Sequence, residues 1–297
     1  MPHGNSIGLG LLLGALARIA MLRSDYRHYP TYPHSYTSHL FLGFIAALAG
    51  SVTVAALLEQ EWTAVTFFLL VSQQFREMRS MERDALKAME DDELVARGSD
   101  YIEDIARVFE ARYYIVILVS AASAFGFEIG SIWLGLLFGL LSFAVGAFLM
   151  VRRRLGDIVT VEPAPVIVQE RNIYVGDVFI MNLGLVESRE IIQEHALGAI
   201  LVPKDDNARG TIANPGQRQA IVHDLAAVLG ARKDLDTPEF TPMAKRDLKT
   251  GRVGVYIVPM EKDQGALLEA LRRVPILESA RGGALNTRAG RKARKGR

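Results

Sequence analysis

The sequence predicts an N-terminal α-helical transmembrane bundle of about five spans, N-terminus out and C-terminus in, followed by a C-terminal cytoplasmic α+β domain. Three observations predict it. Half of the 297 residues are hydrophobic, and five long apolar stretches lie within the first 151. Charge divides at the same point: residues 1–151 carry 10 Lys+Arg and 15 Asp+Glu, net −5, whereas residues 152–297 carry 24 and 18, net +6. Residues 152–280 alternate strand and helix signals. The length suits about two domains. The chain has no Cys, which excludes disulfides, cysteine nucleophiles, iron–sulfur clusters and thiolate zinc sites.

The apolar stretches are residues 6–22, 40–58, 62–71, 113–127 and 132–151. A bilayer core of about 30 Å needs about 20 helical residues, so the second and fifth qualify outright. The first is marginal, with Arg18 near one end where its long stem can snorkel. Its basic residues follow the apolar run, which is the wrong order for a cleaved signal peptide. The third and fourth are short and need helix continuing beyond the membrane, and a re-entrant helix is the rival for the third. Positive charge favours five spans. Outer segments 1–5, 59–61 and 128–131 then hold no Lys or Arg. Inner segments hold Arg23 and Arg27, then Arg76, Arg79, Arg83, Lys87, Arg97, Arg107 and Arg112, then Arg152, Arg153 and Arg154. Gly10 with Gly14, and Gly135 with Gly139, put small residues on one helix face. That suits packing within the bundle or a homodimer. The near absence of ionisable residues in the spans argues against a transporter or pump.

The first inner loop holds Tyr26, Tyr29, Tyr32 and Tyr36, His28, His34 and His39, and Pro30 and Pro33. The prolines exclude a regular helix. The tyrosines and arginines suit interfacial anchoring, and the histidines have no recognised metal spacing. The second inner loop, residues 72–112, reads as helix (QQFREMRSMERDALKAMEDDELV), a break at Gly98-Ser99, and a new helix. Ser99 suits its cap and Asp100 its positive end. Tyr101, Ile105, Val108 and Phe109 form an apolar face, and Glu103 and Arg107 an i,i+4 pair.

The hexapeptide Tyr101-Ile-Glu-Asp-Ile-Ala106 resembles the signature of the YIEGIA family, and RSDYRHYPTYPH, FREMRSMERD and YIEDIARVFEARYY are similar to that family's segments. The resemblance runs to about Ala280. It implies an integral membrane protein of endospore-forming Gram-positive bacteria tied to sporulation. The family-motif positions it marks are Tyr101, Ile102, Glu103, Ile105 and Ala106, with Arg23, Asp25, Tyr26, Arg27, Tyr29, Pro30, Pro33 and His34. The departure is Asp104, where the signature has Gly. An Asp on the polar side of a helix is tolerable there.

In residues 152–280, DIVTVE, PVIVQE and NIYVGDVFIMN read as strands, 186–195 as helix and GAILVPK as strand. Residues 215–229 read as helix, with Asn214 as N-cap, Pro215 at the first helical position and Gln217 at the third. GRVGVYIVPM reads as strand, 263–273 as helix and VPILES as a final strand, the last β-α-β suiting a ferredoxin-like sheet. No GxSxG elbow, HExxH, Walker loop or dinucleotide fingerprint occurs, so no cofactor and no metal are expected. Gln219 and His223 share a helix face beside Asp224, and a satisfied histidine is the simpler reading. Asn214-Pro-Gly-Gln reads as a helix cap before an anion site. The tail, residues 281–297, has seven basic residues and no acid. It reads as a disordered, solubilising segment, with anionic lipid headgroups as the alternative partner. Nucleic acid is disfavoured, because no folded reading surface accompanies the charge.

These features favour a membrane-anchored regulatory or scaffolding protein that presents the cytoplasmic domain and helical loop to a protein partner. The alternative is a membrane-embedded protease at the cytoplasmic face, for which Asp25, Asp84, His34 and Ser99 are the residue types at hand.

Overall fold

The computed structural model describes residues 3–22, 34–90, 93–281, 287, 289, 290 and 292. The chain divides into two compact units, residues 1–85 with 105–151, and residues 86–104 with 152–297. One division falls between Val151 and Arg152, and the segment Leu86–Asp104 belongs to the second unit.

The first unit is built from α1 (Gly4–Leu22), α2 (His34–Leu58), α3 (Trp62–Glu90), α4 (Ser99–Ile129) and α5 (Ile132–Leu149). The unit boundary falls within α3 and α4. Among the described residues four helices are long and apolar enough to cross a membrane: α1, α2 from Thr37, α4 and α5. The short third and fourth stretches both continue as polar helix. α4 still meets that standard, whereas α3 runs unbroken from the apolar 62–71 stretch into the charged QQFREMRSMERD segment, which dilutes its hydropathy.

Small residues set the packing of this unit. A Cβ at Gly10 would stand 2.6 Å from the Ser120 carbonyl oxygen, and one at Gly14 2.7 Å from Ala47 Cβ. A Cβ at Gly135 would meet Leu9 at 2.5 Å. Both glycine pairs therefore face neighbouring helices of the same chain, where close backbone approach is needed. Around them Ala46, Ala47, Phe75, Phe109, Tyr113, Val116 and Ile117 form a core, with Phe75 stacked on Tyr113 at 5.2 Å.

Arg18 departs from expectation. It does not snorkel; it is 1% exposed, with its stem against Gly43 and its guanidinium 4.8 Å from the Tyr113 ring centroid. Its Nε donates to the His39 carbonyl and Nη2 to the Tyr113 hydroxyl, both at 3.4 Å. Aromatic faces and polar acceptors inside the bundle offer a cation an alternative to the interface.

At one end of the bundle the start of α1 meets the ends of α2 and α4. His3 Nε2 lies 2.8 Å from Glu59 Oε1, and Nδ1 lies 2.8 Å from Glu128 Oε1. α2 and α4 therefore run in the same direction, and α3 returns the chain between them. Its 29 residues reach about 44 Å at 1.5 Å per residue.

The second unit holds α6 (Leu155–Ile158), β1 (Val159–Pro163), β2 (Val166–Gln169), β3 (Asn172–Val175), β4 (Val178–Asn182), α7 (Val186–His195), β5 (Leu197–Pro203), α8 (Asp206–Ala213), α9 (Pro215–Leu229), β6 (Met243–Arg246), β7 (Val253–Ile257) and α10 (Gln264–Arg273). A four-stranded antiparallel sheet has the order β1-β5-β7-β6, and β2-β3-β4 form a second sheet. The two central strands are buried on both faces, which is why GAILV and VGVYI read as unbroken apolar runs. Leu197, Ala199, Leu201, Val253, Val255 and Ile257 face α9 and α10, whereas Ile200, Tyr256 and Val258 face the second sheet and α7.

Three sequence expectations are corrected. NIYVGDVFIMN is a hairpin of two strands, turned at Gly176, whose φ of +58° suits glycine. VPILES is not a strand. It makes an isolated bridge between Arg154 and Pro275 and a 3-10 turn at Glu278–Ala280, so no terminal β-α-β or ferredoxin-like arrangement forms. Helix α8 and strand β6 carried no sequence signal strong enough to be expected. The helices 186–195 and 215–229 stand where the sequence puts them, and Asn214 Oδ1 accepts from Gln217 N at 3.0 Å.

Candidate functional site

The residues of the hexapeptide signature begin α4, and their local structure starts at the break before it. Gly98 has φ +86°, and its carbonyl accepts from Tyr101 N and Ile102 N at 3.0 and 3.1 Å. Gly98, not Ser99, is therefore the capping residue; Ser99 is the exposed first residue of the helix. The Glu90 carboxylate accepts from Gly98 N at 2.5 Å and ties the end of α3 to the break. Tyr101, Ile102, Asp104, Ile105 and Ala106 are buried, and Glu103 is half-buried.

Within the second unit the non-helical segment before Ser99 is held by its backbone. Lys233 Nζ donates to the Leu94 carbonyl at 2.6 Å, His223 Nδ1–H to that of Val95 at 2.8 Å, and Gln219 Nε2 to that of Ala96 at 2.5 Å. Three successive carbonyls are thus gripped by three side chains, two of them one helical turn apart on α9. The close approach depends on Gly98, where a Cβ would stand 2.9 Å from Gln219 Cγ. The shared face of Gln219 and His223 is real, and its histidine is satisfied by this carbonyl.

Beside the clasp, Tyr101 donates its hydroxyl hydrogen to Asp224 Oδ1 at 3.0 Å and sets its ring edge-on to His223. Glu93 pairs with Arg97 at 2.6 Å and lies 3.5 Å from His223 Nδ1. Burial pushes the Asp224 carboxyl up to about 6, against the opposing effects of the Tyr101 hydrogen bond and the His223 and Arg97 charges. A carboxyl raised in the folded state binds extra protons between about pH 4 and 6. Stability therefore falls as pH rises through that window, by on the order of 2–3 kcal/mol. Asp224→Asn keeps an acceptor for Tyr101 and removes the titration. It is expected to raise Tm at pH 7.5 and to have little benefit at pH 4. Parallel Tm curves against pH for the two proteins would refute this.

Asp104 is not on a solvated face. It is 2% exposed and pairs in two-pronged fashion with Arg152, at 2.5 and 2.7 Å, while Oδ1 also accepts from Glu278 N at 3.2 Å. Gln217 does not close a capping box. Its side chain, 0% exposed, donates to the Pro275 carbonyl at 3.0 Å and accepts from Leu277 N at 2.8 Å. Asp100 accepts from Ser279 Oγ at 3.2 Å. Sequence reasoning missed these partners because they lie far along the chain.

The other motif residues, Arg23, Asp25, Tyr26, Arg27, Tyr29, Pro30 and Pro33, lie outside the described residues, as does the His34 side chain. Of the protease candidates, Asp84 is exposed beside Arg83 at 3.3 Å and Ser99 is exposed at the start of α4. Among the described residues no group of three or more His, Asp or Glu side chains could hold a metal ion.

A family model described as "YIEGIA protein" matches residues 6–287. A protein of Bacillus subtilis (strain 168) described as "Uncharacterized protein YphB" is similar, 42% identical over 271 residues covering 91% of each chain. No solved structure matches.

Proposed function

The chain belongs to the YIEGIA family, and from that membership we propose that it is a multi-pass membrane protein whose α+β domain acts in the cytoplasm as a regulatory or scaffolding element linked to sporulation. The relative in Bacillus subtilis supports an origin in endospore-forming bacteria.

The observation that carries the scaffolding role is the use made of the signature region. Most of its residues are buried, and the segment before it is held through its own carbonyls by three donating side chains. Such contacts fix a surface. Hydrolysis instead needs a nucleophile and base converging on open space. The fixed surface suits a protein partner on the cytoplasmic side, and the basic tail suits anionic lipid headgroups. A homodimer would use faces other than the two glycine pairs.

Five spans are supported by the shared direction of α2 and α4, between which α3 returns the chain. Trp62 and Trp133, both exposed, open α3 and α5, as interfacial tryptophans do. The basic residues give the orientation. Reporter fusions after Asp92 and after Ala280 are expected to read cytoplasmic, and an external signal at either point defeats this topology.

The role itself is tested by deleting the protein from sporulating cells and comparing proteomes. A scaffold predicts that a co-purifying partner falls in amount or leaves the membrane. Accumulation of an uncleaved precursor would instead identify a protease.

A further inference from the structure

The bundle end that joins α1, α2 and α4 has a feature that packing does not require. Each ring nitrogen of His3 stands 2.8 Å from a different carboxylate, Nδ1 at Glu128 and Nε2 at Glu59. An ionised carboxylate only accepts hydrogen bonds, and a neutral imidazole has one N–H to give. Two such contacts call for one more proton than the neutral set of a single N–H supplies, and an imidazolium provides both donors. We infer that His3, Glu59 and Glu128 form a proton-binding site, in which protonated His3 clasps the N-terminal segment to the ends of α2 and α4 and the loss of that proton releases it.

The surroundings favour the charged ring. Glu59 comes from the turn after α2, with exposed Glu61 two residues on, and Glu128 from the end of α4. Ser6 of α1 places its hydroxyl against the Glu128 carboxylate, and the first turn of α5 has no acidic residue. Met1 lies outside the described residues. The hydrogen bond to Glu128 and then that to Glu59 hold the His3 ring above its ordinary value, against a smaller opposing effect of desolvation. The clasp is therefore complete below about pH 6.5 and is lost as pH rises through the raised value. A metal ion is a poor substitute for the proton. The two carboxylates meet opposite ring nitrogens, so one ion cannot reach both and a ring nitrogen together.

The site's exposure to the cell exterior rests on the orientation proposed above; its proton chemistry does not. Reporter fusions score the orientation, and purified protein scores the clasp. The chain has two tryptophans, Trp62 and Trp133, and each opens the helix that follows one of the two carboxylate-bearing ends. Their fluorescence thus reports on this end of the bundle. Full-length protein in nanodiscs would be titrated from about pH 5 to 9, alongside His3→Gln and Glu128→Gln, with the His3 ring also followed by NMR. The His3 midpoint should lie above about 6.5 in the wild type and move down in Glu128→Gln. A fluorescence transition at the same midpoint should vanish in His3→Gln. A His3 midpoint at or below about 6.5, or an unchanged transition in His3→Gln, would overturn the inference.

Discussion

Ile105→Asp is expected to remove the protein from the membrane fraction. Ile105 is 6% exposed, and its neighbours in the signature, Ile102 and Ala106, are each 0% exposed. A carboxylate there would lie among apolar groups, at a cost of several kcal/mol. Whole-protein stability is about 5–15 kcal/mol, so one such change consumes much of it. Immunoblots of membrane fractions give the readout, and normal abundance would show that the helix is not held by packing. Glu103→Gln is the control. Glu103 is the half-buried member of the hexapeptide, and removing its charge while keeping its size should leave abundance intact. Normal abundance with loss of function in that variant would make Glu103 a site residue.

Arg152→Ala is expected to destabilise the protein more than Asp104→Gly, although both break the same ion pair. The asymmetry comes from burial: the Asp104 side chain is 2% exposed and that of Arg152 28%. Removing Arg152 strands a buried carboxylate with the single N–H of Glu278 still pointing at it, a loss of about 3–5 kcal/mol. Removing Asp104 leaves a guanidinium that can turn to water. The remaining penalty is mainly the weaker helix propensity of Gly, up to about 1 kcal/mol. The double variant should therefore be more stable than Arg152→Ala alone. Chemical denaturation of the four proteins closes the cycle. Equal losses in the two single variants would mean that Asp104 is solvated in the folded protein.

The same pair shows how far the sequence could be read. The burial of the signature helix followed from the spacing of Tyr101, Ile105 and Phe109, because a helical face is a local property. That Asp104 joins this buried face did not follow, since its partner is 48 residues away. Arg18 misled for a similar reason. A cation near the end of an apolar run ordinarily reaches for the interface, and only the aromatic faces of Phe109 and Tyr113 gave it a place inside. Gln217 stood at the right offset for a capping box, and the approach of residues 275–277 drew its side chain elsewhere.

By itself the sequence determined what acts within a few residues. Apolar run length, the cap at Asn214, the apolar runs of β5 and β7 and the positions of α7 and α9 all come from local periodicity and backbone hydrogen-bond demand. The tertiary structure alone decided which side chains meet. The carbonyl clasp on residues 94–96, the Asp104–Arg152 pair and the His3 bridge join segments 48 to 139 residues apart. Such pairs form only once packing has fixed where each segment lies, and no pattern along the chain encodes that distance.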